Sequence, residues 1–390
     1  MNKYFSLKKS TSYFVLMLSL LIHTMSFANN TLANQLKTIL TKNLADSSTP
    51  GAVLLVSSPY IGTITVAAGL AYKAGKIPMK DTNNFRLASM SKTFMAVTLL
   101  KLAEQKKIDL HAKIADLLPS TINIKRIANG KQVTVKQLMQ MRSGIPNYTD
   151  FDEYTELVDN MEDETWTPEL CIKIIYDEKP NFVAGKSYEY SNTNYLLLQL
   201  ILENLSGGSY ATPIRQEILT PLHLNNTFIE IQEANEKNML TTHGYEEDDD
   251  EILNDVTNTN DGFGLADGGM ISTATDINTF IRALLYDKTL LTPASLQDML
   301  TIQDDYGLGI YREKVNEQWA WTHNGSSGGF DGQYYYFPKE QLSMVLLTND
   351  FNTDIIDDVA SQVLKLLKEE RTKNKEAMSG RATSTSYMYN

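Results

Sequence analysis

An α/β (α+β) fold is predicted, in which an antiparallel sheet built from both chain ends and flanked by helices carries an inserted α-rich lobe. Three observations point to it. Strand-like runs stand near the start of the chain, helical periodicity dominates the middle, and short β-branched and aromatic runs return near the end, before a final helix. A chain of 390 residues, 42% of them hydrophobic, has ample material for such a core.

The elements follow in order. Residues 31–46 place Leu32, Leu36, Ile39, Leu40 and Leu44 at helical spacing, ending before Ser47-Ser48-Thr49-Pro50. Gly51 to Ser58 and Ile61 to Tyr72, with Pro59-Tyr60 between them, read as a hairpin. From about Asp81 to Pro293 the pattern is helical: Thr93 to Glu104, Val135 to Met141, Tyr195 to Asn204 and Asp276 to Leu285. The last has Thr273 and Asp276 in capping-box spacing. The acidic run Glu246 to Glu251 reads as a solvated loop. Strands are expected at Tyr306–Arg312, Trp319–His323, Gln333–Phe337 and Leu342–Thr348. The closing helix has Ile355, Ile356, Val359, Val363, Leu366 and Leu367 on one face, with acids at its start and bases at its end. Beyond about Thr372 the apolar periodicity fades. The expected division is a leader at 1–28, an α/β lobe at 29–80 and 294–371, an α-rich lobe at 81–293, and a loose tail at 372–390.

Composition excludes several functions. A formal net charge of −12 with no basic block argues against nucleic acid or an anionic membrane surface as a partner. Lys3, Lys8 and Lys9 precede an apolar run from Tyr13 to Ile22, and Ser26-Phe27-Ala28 follows. That run is shorter than the ~20 residues a membrane span needs, so it reads as a signal peptide cleaved near Ala28, not an anchor. The chain is expected to be exported, to the periplasm or beyond. Cys171, the single cysteine, sits between Leu170 and Ile172 and reads as a small core residue. His111, His223, His243 and His323 form no His-x-x-x-His pair or His/Cys cluster, so no metal site is expected.

Three short elements carry chemistry. Ser89-Met90-Ser91-Lys92 stands at a predicted helix start, where i, i+3 spacing puts the amine beside the hydroxyl and the helix dipole favours a developing alkoxide. Alone it is weak, because Ser6 to Lys9 also matches and a helix cap followed by a surface lysine looks the same. In Tyr190-Ser191-Asn192 a phenol could exchange protons with the nucleophile and an amide could hold a substrate carbonyl, although the tripeptide is also good turn chemistry. His323-Asn324-Gly325-Ser326 ends a predicted strand, and its glycine would let a substrate backbone lie along the strand edge. A plain exit from strand to turn would look alike.

In this order the three resemble the motifs of the serine β-lactamase and penicillin-binding protein superfamily, Ser-x-x-Lys, Ser-Asp-Asn and Lys-Thr-Gly. A tyrosine opening the second motif is similar to the branch of class C β-lactamases, D-alanyl-D-alanine carboxypeptidases and related esterases. Phe85 through Lys92, Gln137-Leu138, Ser143 through Pro146, Tyr188 through Tyr195, and Gly268-Gly269-Met270 with Ser272-Thr273-Ala274 match that branch as well. The resemblance runs from about Leu32 to Leu367.

The resemblance implies Ser89 as acylated nucleophile, Lys92 and Tyr190 as partners in proton transfer, and Asn192, His323, Gly325 and Ser326 in substrate binding. The backbone N–H groups of Ser89 and Ser326 would form the oxyanion hole. No cofactor and no metal are implied, and the partner would be a small peptide, ester or β-lactam. Three departures stand out: His323 where class C β-lactamases carry lysine, Asn324 in place of threonine, and Ala184 where proline often precedes the glycine. The residues point first to a D-alanyl-D-alanine carboxypeptidase-like enzyme, with His323 charged below neutrality to hold a carboxylate. An esterase or an aminopeptidase for D-residues comes second and a class C β-lactamase third. A binding or regulatory protein on a dead scaffold is the rival from outside enzymology.

Overall fold

The computed structural model describes residues 30–160, 165–233, 239–351 and 353–386, so the expected leader lies outside the described residues. In chain order come helix α1 (30–45), strands β1 (Gly51–Ser58), β2 (Gly62–Tyr72), β3 (Ile77–Pro78) and β4 (Asn84–Arg86), and helix α2 (Ser91–Glu104). Helices α3 (Val135–Met139), α4 (Asp152–Asn160), α5 (Pro168–Ile174), α6 (Thr193–Ser206) and α7 (Ala211–Ile214) follow. Then come β5 (Phe228–Ile229), β6 (Tyr245–Glu247), β7 (Leu253–Asp255), β8 (Met270–Thr273), α8 (Ala274–Ile281) and α9 (Pro293–Met299). The chain closes with β9 (Tyr311–Val315), β10 (Gln318–Ser327), β11 (Phe330–Phe337), β12 (Leu342–Thr348) and α10 (Ile355–Ser386).

The two ends of the chain share one sheet. Its order is β3-β2-β1-β12-β11-β10-β9, with antiparallel pairing that sets Leu54 opposite both Val66 and Leu346. Every residue of β1 is buried, because the strand has helices on both faces. Period-2 alternation sorts its side chains: Ala52, Leu54 and Val56 pack with Leu36 and Leu40 of α1 and Val359 and Val363 of α10, while Val53 and Leu55 join the core shared with Phe85 and Phe94. β12 divides in the same way, Met344 and Leu346 to one side and Val345 and Leu347 to the other. Helix α8 lies on that second face, against β12 and β1. The Thr273 hydroxyl caps it by accepting the Asp276 amide at 3.2 Å, as its spacing predicts.

Some elements differ from expectation. The strand predicted at Tyr306–Arg312 begins only at Tyr311. Gly307 and Gly309 turn the chain back before it: the Leu308 amide donates to Met299 at the end of α9, and Gly309 has φ +66°. Only Glu246 and Glu247 of the acidic run enter a strand, β6, which pairs with β7 beyond the run, while Asp248 through Glu251 stay exposed at the hairpin tip. Helix α10 continues to Ser386, where loss of apolar periodicity predicts a loose tail from 372. Periodicity reports packing, and a stretch with no proline that begins with the helix formers Lys373, Lys375, Glu376, Ala377 and Met378 continues a helix without it.

Candidate active site

Ser89 sits where β4 passes into α2. The Leu87 amide donates to the Met270 carbonyl at 2.8 Å, tying this corner to β8, and Ala88 takes a left-handed φ of 44°. A left-handed alanine is a strained link, and it turns the chain sharply just before the serine. Helix α2 opens two residues later with its surface buried nearly all round, so it is a central strut whose first turn cannot shift. Lys92 lies in that first turn, 0% exposed, while Ser89 reaches the cleft.

The second motif is clamped onto the loop that contains Ser143 through Pro146. Pro146 accepts hydrogen bonds from the hydroxyls of Ser191 (3.2 Å) and Thr193 (2.8 Å), and Ser143 donates to Asn194 Oδ1 at 2.7 Å. Gly144, at φ +68°, is required here, because a Cβ would come within 2.1 Å of the Phe182 carbonyl. Tyr190 and Asn192 are thereby fixed over α2.

Four groups meet at one point. Lys92 Nζ lies 2.8 Å from Ser89 Oγ, and the Tyr190 hydroxyl lies 2.8 Å from the same oxygen. Nζ also donates to Asn192 Oδ1 at 2.8 Å and to the main-chain oxygen of Asp267. Those two oxygens can only accept, so they take the two protons of a neutral amine. Its lone pair is left aimed at the Ser89 hydroxyl. Burial brings the Lys92 amine down to about 7, against the pull of the Asp267 carboxylate, which favours the ammonium. Burial also pushes the Tyr190 phenol well above its ordinary value. At neutral pH Lys92 is therefore the available base and Tyr190 stays protonated.

The third motif brings β10 against this corner. A Cβ on Gly325 would stand 2.2 Å from the Leu87 carbonyl, 2.9 Å from the Ser89 amide and 3.0 Å from the Met90 amide, so only glycine allows the approach. Ser326 follows it on the cleft wall. The cleft, about 450 Å³, is lined by Ser89, Tyr148, Asn192, Asp261 and Phe263 among others. A larger crevice of about 630 Å³ shares Glu246 and Phe351 with it and includes none of Ser89, Lys92 and Tyr190.

His323 corrects the sequence expectation. Its ring is 1% exposed, and desolvation lowers it to about 3, so it is neutral. The Asn324 carbonyl, 2.7 Å from Nδ1, can only accept, which puts the ring proton there. Nε2 accepts from the Tyr306 hydroxyl at 2.8 Å. With both nitrogens engaged by the protein, His323 has no charge and no free atom for a substrate carboxylate. Gly325 acts on the site by letting β10 approach, and Asn324 accepts from the Tyr311 hydroxyl at 3.1 Å.

Sequence reasoning passes over Asp267, Tyr148 and Tyr306. Asp267 stands directly before the Gly268-Gly269 pair and Tyr148 just after Ser143 through Pro146, so proximity to matched segments was the available signal. The remaining cleft wall has Arg86 bound to Glu230 through two 2.9 Å hydrogen bonds, with its guanidinium 3.7 Å over the Phe263 ring.

A family model described as Beta-lactamase matches residues 36–367. The chain belongs to the Beta-lactamase family. Its mixed architecture, an antiparallel sheet between helices, is the fold of the serine β-lactamases and penicillin-binding proteins. Protein flp of Staphylococcus aureus (strain COL) is 30% identical over 217 residues, 54% of this chain, and the match spans 41% of flp. Teichoic acid D-alanine hydrolase of Staphylococcus aureus is 25% identical over 342 residues, 85% of this chain and 79% of that protein. Among solved structures, a D-stereospecific amidohydrolase from Streptomyces sp. has a TM-score of 0.69 at 27% identity, covering 80% of this chain and 93% of its own. D-amino acid amidase from Ochrobactrum anthropi SV3 has a TM-score of 0.75 at 23% identity, covering 87% and 99%, a likeness of fold.

Proposed function

We propose that this chain hydrolyses esters or amides of D-amino acids that keep a free ammonium group, through an acyl-enzyme on Ser89. The observation that carries the reading is the charge of the cleft. Among the described residues lining it Arg86 is the only cation, and Glu230 already holds it. Asp261 and Glu246 stand on the same wall, near enough that Asp261 adds to burial in raising the Glu246 carboxyl. Such a wall complements an ammonium and repels a carboxylate. The D-alanyl-D-alanine carboxypeptidase and class C β-lactamase readings both need a group for the substrate carboxylate, and the neutral, enclosed His323 withdraws the one the sequence offered. The names of the teichoic acid D-alanine hydrolase and the D-stereospecific amidohydrolase support D configuration at the acyl residue.

In this mechanism neutral Lys92 takes the Ser89 proton as Oγ attacks the carbonyl carbon. The Ser89 and Ser326 amides receive the oxyanion, and Asn192 steers the substrate while holding the amine. Tyr190, a phenol throughout its working range, passes a proton to the departing alcohol or amine and regains one from the Lys92 ammonium. Water then replaces the leaving group and the steps reverse.

A substrate panel tests the reading. D-alanine p-nitrophenyl ester and D-alaninamide should turn over, with the L-isomers and N-acetylated forms much slower. Preference for acetyl-D-Ala-D-Ala would restore the carboxypeptidase, and preference for a cephalosporin the β-lactamase. No turnover and no acylation with any substrate would favour a binding protein.

A further inference from the structure

Lys92 is enclosed by groups from several elements. Tyr190 and Asn192 lie before α6 and Tyr195 within it, and His323 and Tyr306 stand behind on the β10 side. The hydroxyls and the imidazole among these are neutral. The charged group of the enclosure is Asp267, 8% exposed, whose main-chain oxygen accepts from Nζ and whose Oδ2 accepts from the Tyr148 hydroxyl at 2.9 Å. Asp261, on the cleft wall, acts on the Asp267 carboxyl by like-charge repulsion.

We propose that Asp267 is a positioning residue for the reaction: its main-chain oxygen fixes the direction of the Lys92 lone pair, and its carboxylate, anchored by Tyr148, supplies the counter-charge to the Lys92 ammonium. A buried carboxylate without such a task is costly and rare. Burial alone would leave Lys92 a feeble base, because an amine stripped of water and counter-charge binds protons poorly. A full ion pair would keep it protonated. The two effects oppose each other and leave the amine at about 7, where a general base works best. Burial raises the Asp267 carboxyl above its ordinary value, and the Lys92 charge and then the Tyr148 hydrogen bond pull it back toward the ionised form, so Tyr148 bears on this directly. The proposal rests on Ser89 being the nucleophile and not on the identity of the substrate.

Labelling by a fluorophosphonate probe across pH 5 to 9 is the test. Ser89 Oγ forms a bond to phosphorus, fluoride departs, and Lys92 takes the proton, so the labelling rate follows the neutral amine. Wild type should show an acid limb near pH 7. Asp267→Asn should move that limb down by about one pH unit or more, as removal of an adjacent opposite charge does. Tyr148→Phe, which leaves the carboxylate in place but weakens its ionisation, should move it the same way by less. If Asp267→Asn fails to fold, the Tyr148→Phe limb decides. A lower plateau with an unmoved limb in the variants that fold would make Asp267 merely structural and overturn the proposal. Absence of labelling at Ser89 in wild type would overturn it together with the nucleophile.

Discussion

Tyr306 donates its hydroxyl proton to His323 Nε2 across 2.8 Å, within a pocket that leaves the imidazole 1% exposed. This contact reverses what the third motif suggests in sequence, where an exposed histidine would change charge across the neutral range. The ratio of kcat/KM for a carboxylate-bearing substrate to that for an uncharged ester should therefore be flat from pH 5.5 to 8. Titration of Lys92 affects both substrates and cancels. A step in the ratio near pH 6.5 would mean that His323 reaches the substrate as a cation.

Stability should report the same ring. An imidazole held at about 3 in the fold and ordinary when unfolded binds its proton only in the unfolded chain between those values. Its contribution is complete above pH 6.5 and is lost as pH falls toward 3, at up to about 1.4 kcal/mol per pH unit. Asp331, raised to about 7, acts with the opposite sign, and Lys92 gives a slope above 7. Both titrate equally in a His323→Gln variant. The urea-unfolding difference between wild type and variant should thus shrink by about 2 kcal/mol from pH 7.5 to 5. A constant difference would mean the ring is ordinary.

The contrast between Lys92 and Asp267 shows what a sequence makes legible. Ser89 and Lys92 are three residues apart on one helical turn, and Tyr190 and Asn192 flank the start of another helix, so spacing alone brings each pair together. Asp267 meets Lys92 across 175 positions, and Tyr306 meets His323 through a turn predicted as strand. Burial, which sets the charge of His323, depends on packing by residues from β9, β10 and the second motif at once. Within the large sheet β1, β2, β10, β11 and β12 were legible because they are long and β-branched or aromatic, whereas two-residue β3 was not and β9 was placed too early. β4, β5 and β8, at two to four residues, are too short to show a period.

Ser89→Ala should abolish fluorophosphonate labelling and lower turnover by several orders of magnitude. Lys92→Ala and Tyr190→Phe should each slow acylation and combine far less than additively, because both serve one proton transfer. Their pH profiles should differ. Tyr190→Phe keeps the acid limb near pH 7, whereas Lys92→Ala loses it. Mass spectrometry of the labelled peptide and rate profiles check both, and a limb that survives in Lys92→Ala would assign the base elsewhere.

Asp261 tests the cleft charge. Its carboxylate accepts from the hydroxyl of Ser327, the last residue of β10, on the wall that a substrate ammonium would face. Asp261→Asn keeps the shape and the hydrogen bond but removes the charge. KM for D-alanine p-nitrophenyl ester should rise about threefold to tenfold, as loss of a partly solvated ion pair allows, while the N-acetyl ester is unaffected. Equal changes for the two substrates would deny Asp261 a part in recognition.

Gly325 links fold and chemistry most directly. A methyl group there would meet the Leu87 carbonyl at 2.2 Å and the Ser89 amide at 2.9 Å, and these are backbone atoms of a corner pinned by β8 and α2. Neither side can yield cheaply, so β10 must retreat and take Ser326 with it. Retreat opens the gap between the two amides proposed to receive the oxyanion, and loss of one such donor costs about 10²–10³ in rate. Overpacking adds a stability cost of about 1–3 kcal/mol. Gly207→Ala separates the two effects, because Gly207, at φ +69° after α6, has nothing within 4 Å of a new Cβ. It should lose about 1 kcal/mol of stability through backbone strain and keep its kcat. Gly325→Ala should lose kcat far beyond what its unfolding midpoint explains, and a variant with normal turnover would show that β10 need not touch Ser89 for the site to work.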